Sequence, residues 1–123
     1  MTFCIPVEAA ILINRSLPNA VHAVTNRDRL ESALARPMHT FDGQLLFPTL
    51  IERAAALLHG VATAHGFFDG NKRTAWLCTA TYLEREGSPL QEIPALVVAD
   101  FVVDVVVGHI DQESAALWLL DQT

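Results

Sequence analysis

The feature that most constrains the fold is a pair of long helices encoded in the middle of the chain. Thr49 and Glu52 form a capping box at the start of the first helix. Residues 65–70 then predict a short loop, Asn71 is a suitable N-cap for the second helix, and Gly87 suits its end. In the first helix the apolar positions follow the helical period at Leu50, Ala54, Leu57, Leu58 and Val61.

Most of the remaining sequence also favours helix. Pro6 suits the first turn of a helix, Asn26 suits the N-cap of the next, and Pro37 must end that second helix. Val7, Ala10 and Ile11 lie on one face of the first predicted helix, and the last carries Ala116, Leu119 and Leu120. The predicted helices run from Pro6 to about Arg15, from Asn26 to Pro37, from Pro94 to Gly108, and onward from about Asp111.

The valine-rich segment 95–107 needs a separate argument, because valine alone favours strand. Asp100 and Asp104 are four positions apart, so a helix places both carboxylates on one narrow face. A strand would instead put two valines and both aspartates on the same face. We therefore predict a nearly buried helix here, with the two aspartates on its solvated side.

Residues 37–48 break the helical pattern. They contain two prolines and an Asp42-Gly43 turn, with Phe41 and Leu45 placed to flank a small hairpin. Together the segments predict an all-α protein, a compact bundle of about six helices with a short flap or β-hairpin before the central helix pair. At 123 residues we expect a single domain over residues 1–123.

Composition narrows the class of protein. Apolar residues make up 51% of the chain, enough for a core without metals or disulfides, and Cys4 and Cys78 fit free thiols in a reducing cytosol. The net charge of −6 argues against nucleic acid as a direct partner. No signal peptide or membrane span is visible, so we expect a soluble cytoplasmic protein without a membrane partner.

The start of the helix at Asn71 has the features of a phosphate site. Its first turn has backbone N–H groups without helical partners, and the helix dipole adds partial positive charge. Gly70 allows close approach of a ligand, and Lys72, the only lysine of the chain, adds a full charge beside that of Arg73. Phosphorylated small molecules are the expected ligands.

The preceding loop supplies the groups needed for transfer chemistry. A carboxylate beside bound phosphates suits a shared Mg²⁺, so Asp69 is the expected metal ligand. The imidazole of His65 can accept a proton from an attacking hydroxyl near neutral pH. Phe67 is expected to anchor the loop in the core, whereas the sequence leaves open whether Phe68 packs or faces the ligand.

Residues 65–73, HGFFDGNKR, resemble the H-x-F-x-D-G-N-K-R signature of the Fic/Doc family in its Doc-like form. Residues 30–37 resemble the family's segment ahead of the flap, and residues 49–65 resemble its helix leading into the catalytic loop. The resemblance covers roughly Val21 to Gln122, and the chain length is similar to that of the short Doc toxins. Gly66 departs from the family pattern, where proline or a bulkier residue is common, and it predicts a looser loop.

The resemblance implies roles for the motif residues. The family's motif histidine is the general base, its acid holds Mg²⁺, and the following residues form an anion hole. The flap, here residues 41–47, aligns the target as an added strand. We therefore assign catalysis to His65, Asp69, Lys72 and Arg73, metal binding to Asp69, and ATP binding to Phe67, Gly70, Asn71, Lys72 and Arg73.

Two positions select a branch of the family. Nucleotidyl-transferring Fic proteins usually have glycine at the lysine position and a second arginine three residues after the first. This chain has Lys72 at the first position and Trp76 at the second. Doc toxins likewise have lysine at the first position and no arginine at the second. The resemblance thus implies a protein kinase that transfers the γ-phosphate of ATP to a translation factor, elongation factor Tu. The family's self-inhibiting glutamate motif is absent, which implies a separate antitoxin whose tail covers the active-site cleft.

Alternatives remain at this point. The chain could transfer AMP or another nucleotide moiety, could bind a nucleotide without catalysis, or could be a plain helical bundle. The histidines outside the motif form no metal pair at helical spacing; they are His22, His39, His59 and His109. Only His59, on the helix before the loop, is placed to line the cleft, and Trp76 and Trp118 are expected in the core.

Overall fold

A computed structural model describes residues 3–123, and its architecture is all-α with one small hairpin. A single 3-10 turn, Arg36–Met38, follows the second helix and precedes the hairpin. The elements are α1 (Val7–Arg15), α2 (Arg27–Ala35), β1 (Thr40–Phe41), β2 (Gln44–Leu45), α3 (Leu50–Thr63), α4 (Asn71–Arg85), α5 (Ala95–Val107) and α6 (Gln112–Asp121). The predicted bundle of about six helices with a flap before the central pair is confirmed.

The helices begin and end where local chemistry favours it. Asn26 Oδ1 accepts a hydrogen bond from Arg29 N at 3.0 Å, which caps α2 as predicted. Thr49 Oγ1 accepts from Glu52 N at 3.2 Å, so the first half of the expected capping box is present at α3. In the second half of a capping box the carboxylate accepts from the backbone N–H of the cap residue. Here the Glu52 carboxylate accepts from the Thr49 hydroxyl at 2.6 Å instead.

Helix α3 lies at the centre of the bundle and contacts α2, α4, α5 and α6. Leu57, Leu58 and Val61 are fully buried, and they belong to one continuous apolar core with Tyr82 and Leu119. Truncating a fully buried leucine such as Leu57 to alanine costs about 2–5 kcal/mol, because it removes contacts and leaves a cavity. The central pair therefore holds the loop between α3 and α4 on a rigid base.

The segment 95–107 is a helix, as predicted, but the expectation that it is nearly buried is wrong. One face, with Phe101, Val102 and Val105, packs into the core. The opposite face is open, and Leu96 is 79% exposed. A helix at the edge of a bundle has neighbours on one side only, so its second apolar stripe stays in solvent. The open stripe comprises Leu96, Val97, Val103 and Val107.

The hairpin forms the predicted flap. Thr40 pairs with Leu45 and Phe41 with Gln44, and Leu46 N donates to His39 O at 2.8 Å beyond the named strands. The two central residues, Asp42 and Gly43, have φ of 52° and 78°. Positive φ at both positions is the geometry of a two-residue hairpin turn that matches strand twist.

Within residues 3–123 no helix is long and apolar enough to cross a membrane. The same residues contain no cluster of three or more histidine, cysteine, aspartate or glutamate side chains suited to a metal. Cys78 is buried and Cys4 half-buried, and both are free thiols. Burial raises the pKa of the Cys78 thiol to about 12, so this thiol is inert at neutral pH.

Candidate active site

The loop between α3 and α4 is anchored by Phe67, which the structure buries in the core with 3% of its surface exposed. Both backbone groups of Phe67, its N–H and its carbonyl oxygen, are held by the side-chain amide of Asn71. Asn71 Oδ1 accepts from Phe67 N at 3.0 Å, and Asn71 Nδ2 donates to Phe67 O at 2.8 Å. The anchor role predicted for Phe67 matches this placement. Because so little of the residue is exposed, its backbone is the part left to meet a ligand, and the ATP-binding role assigned to Phe67 stays a prediction.

The first turn of α4 differs in detail from the sequence expectation. Asn71 is not the N-cap; the helix begins at Asn71, and Gly70 is the cap residue. Gly70 has φ of 78°, which favours glycine. A Cβ on Gly70 would lie 2.6 Å from Leu17 Cδ1, so any larger residue here would have to displace the side chain of Leu17. The side chain of Asn71 is then free to clamp the loop.

The mouth of α4 presents an unfilled set of donors. Among the described residues, the backbone N–H groups of Asn71, Lys72 and Arg73 have no acceptor, and the first backbone bond of the helix is Thr74 N to Gly70 O at 2.8 Å. Lys72 and Arg73 are exposed, and neither forms an ion pair within residues 3–123. Arg73 Nη1 donates to Pro18 O at 3.2 Å, which orients its guanidinium. Unpaired N–H groups and two cations at one helix start make an anion cradle.

His65 stands at the entrance of the loop in an unusual backbone conformation. Its φ is 51°, in the left-handed region, and the residue is exposed. Its carbonyl oxygen accepts a hydrogen bond from Thr25 Oγ1 at 3.0 Å. A non-glycine residue there costs about 1–3 kcal/mol and persists only where its surroundings over-determine it. The imidazole is thereby displayed to solvent rather than turned into the core.

The loop is tightly packed at Gly66, which corrects the expectation that this glycine loosens it. A Cβ on Gly66 would lie 2.9 Å from Leu30 Cβ, so the backbone touches α2 directly. The carbonyl oxygen of Gly66 accepts from both Thr25 N at 2.9 Å and Asn26 N at 3.2 Å. Glycine therefore serves close packing here, and the loop gains rigidity from it.

Asp69 is held in place by backbone donors. Its Oδ1 accepts from Gly70 N at 2.7 Å, and its Oδ2 accepts from Val21 N at 3.4 Å. The carboxylate forms no ion pair within the described part of the chain, and it stands directly before the donors of α4. One oriented carboxylate beside a phosphate cradle fits Mg²⁺, which takes one or two carboxylates together with phosphate oxygens and waters.

Two supports of the loop were missed by the sequence analysis. Asn14 of α1 is 1% exposed, and its Nδ2 donates to Asp69 O at 2.9 Å and to Thr74 Oγ1 at 3.1 Å. It lies on the apolar face of α1, three positions after Ile11, where a polar side chain must find partners. That position was the available signal, since a buried amide in an apolar stripe indicates a structural or functional bond.

The second support is an extended segment before α2. Val24 and Phe67 form an isolated antiparallel bridge, and Phe68 N donates to Ala23 O at 2.9 Å. No alternation or turn signal in residues 20–25 predicts this pairing. The ring of Phe68, which the sequence left open, is 67% exposed beside this segment.

A large apolar groove of about 640 Å³ opens next to the cradle. Lys72 and Arg73 are among the residues that line it, together with Leu96 and Val103 from the exposed stripe of α5. Trp76 lines it as well, with its ring edge-on to Phe101 at 6.3 Å between ring centroids. We expected Trp76 in the core. It packs against the core but is only half-buried, so part of its surface is open to the groove.

His59 is not among the residues that line the groove beside the cradle. It lies in α3, and its Nδ1 is buried without a hydrogen-bond partner among the described residues. Burial and the nearby charge of Arg36 lower the pKa of the His59 imidazole. Asp104 is half-buried on α5, and its Oδ1 lies 3.5 Å from Nδ1 of His109. Both residues are far from the motif along the sequence.

Comparison with known proteins identifies this combination of bundle, loop and cradle. A model of the Fic/DOC family matches residues 6–83, which are more than half of the chain. The chain therefore belongs to the Fic/DOC family. The match begins ahead of α1, so the helix that carries Asn14 is part of the family segment, although the sequence resemblance was placed only from Val21.

A curated relative adds detail within the family. The chain is 44% identical over 75 residues to the Toxin Doc of Mycolicibacterium smegmatis (strain ATCC 700084 / mc(2)155). The aligned residues cover 61% of this chain and 52% of that protein. The chain thus spans about half the length of the curated relative that it matches.

Proposed function

We propose that this protein is a Doc-type toxin and a protein kinase. It transfers the γ-phosphate of ATP to a hydroxyl of a translation factor, with elongation factor Tu as the expected target, and so arrests translation. The observation that carries the proposal is the unfilled donor set at the start of α4, with the exposed ring of His65 at the other end of a rigid loop. Membership of the family and the similarity to Toxin Doc support it.

The proposed reaction uses few protein groups. His65 accepts the proton of the acceptor hydroxyl as its oxygen attacks the γ-phosphorus. The bond between the γ-phosphorus and the bridging oxygen breaks, and ADP leaves with the electron pair. The N–H groups of α4 and the charges of Lys72 and Arg73 stabilise the charge on the phosphoryl oxygens, which is the main catalytic need of such transfers.

Asp69 is the residue that would hold Mg²⁺. The ion would neutralise phosphate charge and orient the triphosphate. The protein's own part is to keep the carboxylate fixed, which the backbone donors of Gly70 and Val21 do. Asn14 contributes indirectly, because its amide holds the carbonyl oxygen of Asp69.

Phosphoryl transfer is favoured over nucleotidyl transfer by Lys72 and Trp76. At the position where nucleotidyl-transferring relatives usually have a second arginine, the indole of Trp76 packs edge-on to Phe101 and Trp118, so no cation can reach the cradle from there. Lys72 is exposed at the cradle and supplies the charge instead. Transfer of AMP remains the second candidate, because the cradle itself would accept either part of a triphosphate.

The apolar groove supports a proposed antitoxin partner. Its lining includes the apolar Leu96 and Val103 and the two cations Lys72 and Arg73. A tail with apolar side chains and an acidic end would bury the exposed stripe of α5 and neutralise these charges. Bound there, the tail would cover the cradle and block ATP, which accounts for inhibition without any inhibitory segment within residues 3–123.

The test is intact-mass analysis of elongation factor Tu after incubation with the protein, ATP and Mg²⁺. We expect a gain equal to one phosphoryl group, and a gain equal to AMP would select the second candidate. His65→Ala should reduce the rate by about 10²–10⁴-fold, because general-base catalysis supplies that much. His109→Ala is the matched control, since His109 is exposed and distant from the motif, and it should leave the rate unchanged. ATP binding with no transfer to any translation factor would refute the kinase proposal.

A further inference from the structure

A second cavity, of about 460 Å³, opens between α2, the end of α3 and the base of the flap. Three basic side chains line it, Arg29, Arg36 and His39, and none of its lining residues is acidic. In a chain with 14 Asp and Glu against 8 Lys and Arg, a cavity lined by two arginines and no carboxylate is electrostatically distinct. We call it the basic pocket.

The two arginines of the basic pocket are available to a ligand. Within residues 3–123 the arginine that forms salt bridges is Arg27, outside the basic pocket, whereas Arg29 and Arg36 have no carboxylate partner. Arg36 is nevertheless held in place, because its guanidinium lies over the ring of Phe47 at 5.6 Å from the ring centroid. Its stem also touches Gly60, where a Cβ would approach Arg36 Cδ to 2.9 Å. A fixed cation without a counter-ion is a pre-organised anion site.

The position of the basic pocket connects it to the acceptor side of the reaction. His39 and Leu46, which line the basic pocket, are the backbone-paired residues at the base of the flap. Thr63 and Ala64 also line the basic pocket, and Ala64 directly precedes His65. A segment lying along the flap with its hydroxyl at His65 therefore passes the mouth of the basic pocket.

The cradle side of the molecule is separate. The apolar groove that contains Lys72 and Arg73 shares no lining residue with the basic pocket. Phosphates bound at the mouth of α4 thus leave the basic pocket open. This separation favours the protein acceptor over the nucleotide as the source of the anion.

We propose that the basic pocket binds a carboxylate side chain of the protein acceptor, close in sequence to the hydroxyl that is modified. The proposal rests on the proposed function, because it assigns the acceptor's position from the role of His65. Arg29 and Arg36 form charge-assisted hydrogen bonds to the carboxylate, and the flap supplies backbone pairing. The basic pocket then determines which hydroxyl is presented, whereas the cradle determines the donor.

The test compares Arg29→Gln with Arg27→Gln in steady-state transfer to elongation factor Tu. Both arginines are exposed on α2, and only Arg29 lines the basic pocket. Loss of one charge-assisted bond should raise the KM for the protein acceptor about 10-fold for Arg29→Gln and leave the KM for ATP unchanged. An equal effect of Arg27→Gln, a rise in the KM for ATP, or no change in either constant would each overturn the proposal.

A binding measurement separates this proposal from the kinase proposal. The probe is a labelled hexaglutamate peptide, with hexaglutamine as its neutral control, titrated into the wild type and Arg29→Gln and followed by fluorescence anisotropy. We expect hexaglutamate to bind the wild type more tightly than hexaglutamine, and Arg29→Gln to lose that preference. If the preference depends on Arg29 while no transfer occurs, the kinase proposal fails and the anion site stands. If transfer occurs and the preference is the same in both proteins, the anion site is refuted.

Discussion

The catalytic loop and the flap are both short connections that begin or end at α3, yet they are held very differently. The loop, residues 65–70, is tied to α1, α2, α4 and the segment before α2 by a buried ring and at least six hydrogen bonds. The hairpin that forms the flap in the structure, residues 39–46, is held mainly by its own ladder, and Phe41 beside its turn is 73% exposed. The groups proposed to react lie on the firmly held segment, and the surface proposed to meet a partner lies on the exposed one.

The largest difference in stability between the two segments is expected when the phenylalanine of each is changed to alanine. Phe67→Ala should lower the free energy of unfolding by about 3–5 kcal/mol, because it empties a core site and releases the loop. Phe41→Ala, the matched change on the flap, should leave stability within about 0.5 kcal/mol. Urea denaturation measures both. Equal stability losses would show that the loop is not anchored as described.

The glycines Gly70 and Gly43 sharpen the comparison, since both have φ of 78°. Gly43→Ala should cost only the left-handed backbone penalty, about 1–2 kcal/mol, because a Cβ added there would meet no neighbouring atom within 4 Å. Gly70→Ala adds a clash with Leu17, so its cost should exceed that by about 1–3 kcal/mol. Thermal unfolding of the two variants measures the gap. A gap of zero would mean that α1 can move away from the loop freely.

Asn14 tests whether α1 braces the loop through a specific hydrogen bond. Asn14→Ala should cost about 1–3 kcal/mol, because it leaves the carbonyl of Asp69 and the hydroxyl of Thr74 without their buried donor. A double-mutant cycle with Thr74→Ala should give a coupling energy of about 0.5 kcal/mol or more. Strict additivity of the two changes would show that the bond from Asn14 to Thr74 contributes no energy, whereas a loss of less than about 1 kcal/mol for Asn14→Ala would refute the brace through Asp69 O as well. Kinase activity should fall with Asn14→Ala even where the protein is fully folded.

The smallest change in the free energy of unfolding is expected at His65. The side chain proposed to serve the reaction is there held in a backbone conformation that lowers stability. His65→Gly should raise the free energy of unfolding by about 1 kcal/mol, since glycine adopts the left-handed conformation without strain. His65→Ala keeps the Cβ and should give no such gain. Both variants should be inactive in transfer. A destabilised His65→Gly would show that the φ of 51° carries no strain.

Much of the fold was predictable because its signals are local. Asn26 accepts the predicted cap bond from Arg29 N at 3.0 Å, and the last helix starts beside Asp111 as predicted, where Asp111 accepts from Ser114 N at 2.7 Å. The hairpin turn at residues 42–43 follows from two residues that tolerate positive φ. Caps, turns and helical periods involve neighbours within a few positions, so the chain carries them without reference to the rest of the fold.

Two of the errors share a physical cause, which is distance along the chain: the burial of α5 and the looseness expected at Gly66 both depended on what packs against the segment. The error at Asn71 is local, because its amide bonds to Phe67, four positions earlier, and Gly70 takes the cap position. Gly66 meets Leu30, 36 positions earlier, and Asn14 reaches Asp69, 55 positions later. No local pattern encodes such partners, so burial and bracing could not be predicted from spacing.

The chemistry of this protein was present in its amino-acid order: the HGFFDGNKR segment between two helices places an imidazole, a carboxylate and two cations around one helix start. Tertiary structure alone decided how firmly those groups are held and what surrounds them. Side-chain type and helical period are properties of adjacent residues, whereas the brace from α1, the open stripe of α5 and the basic pocket arise only when distant helices pack together.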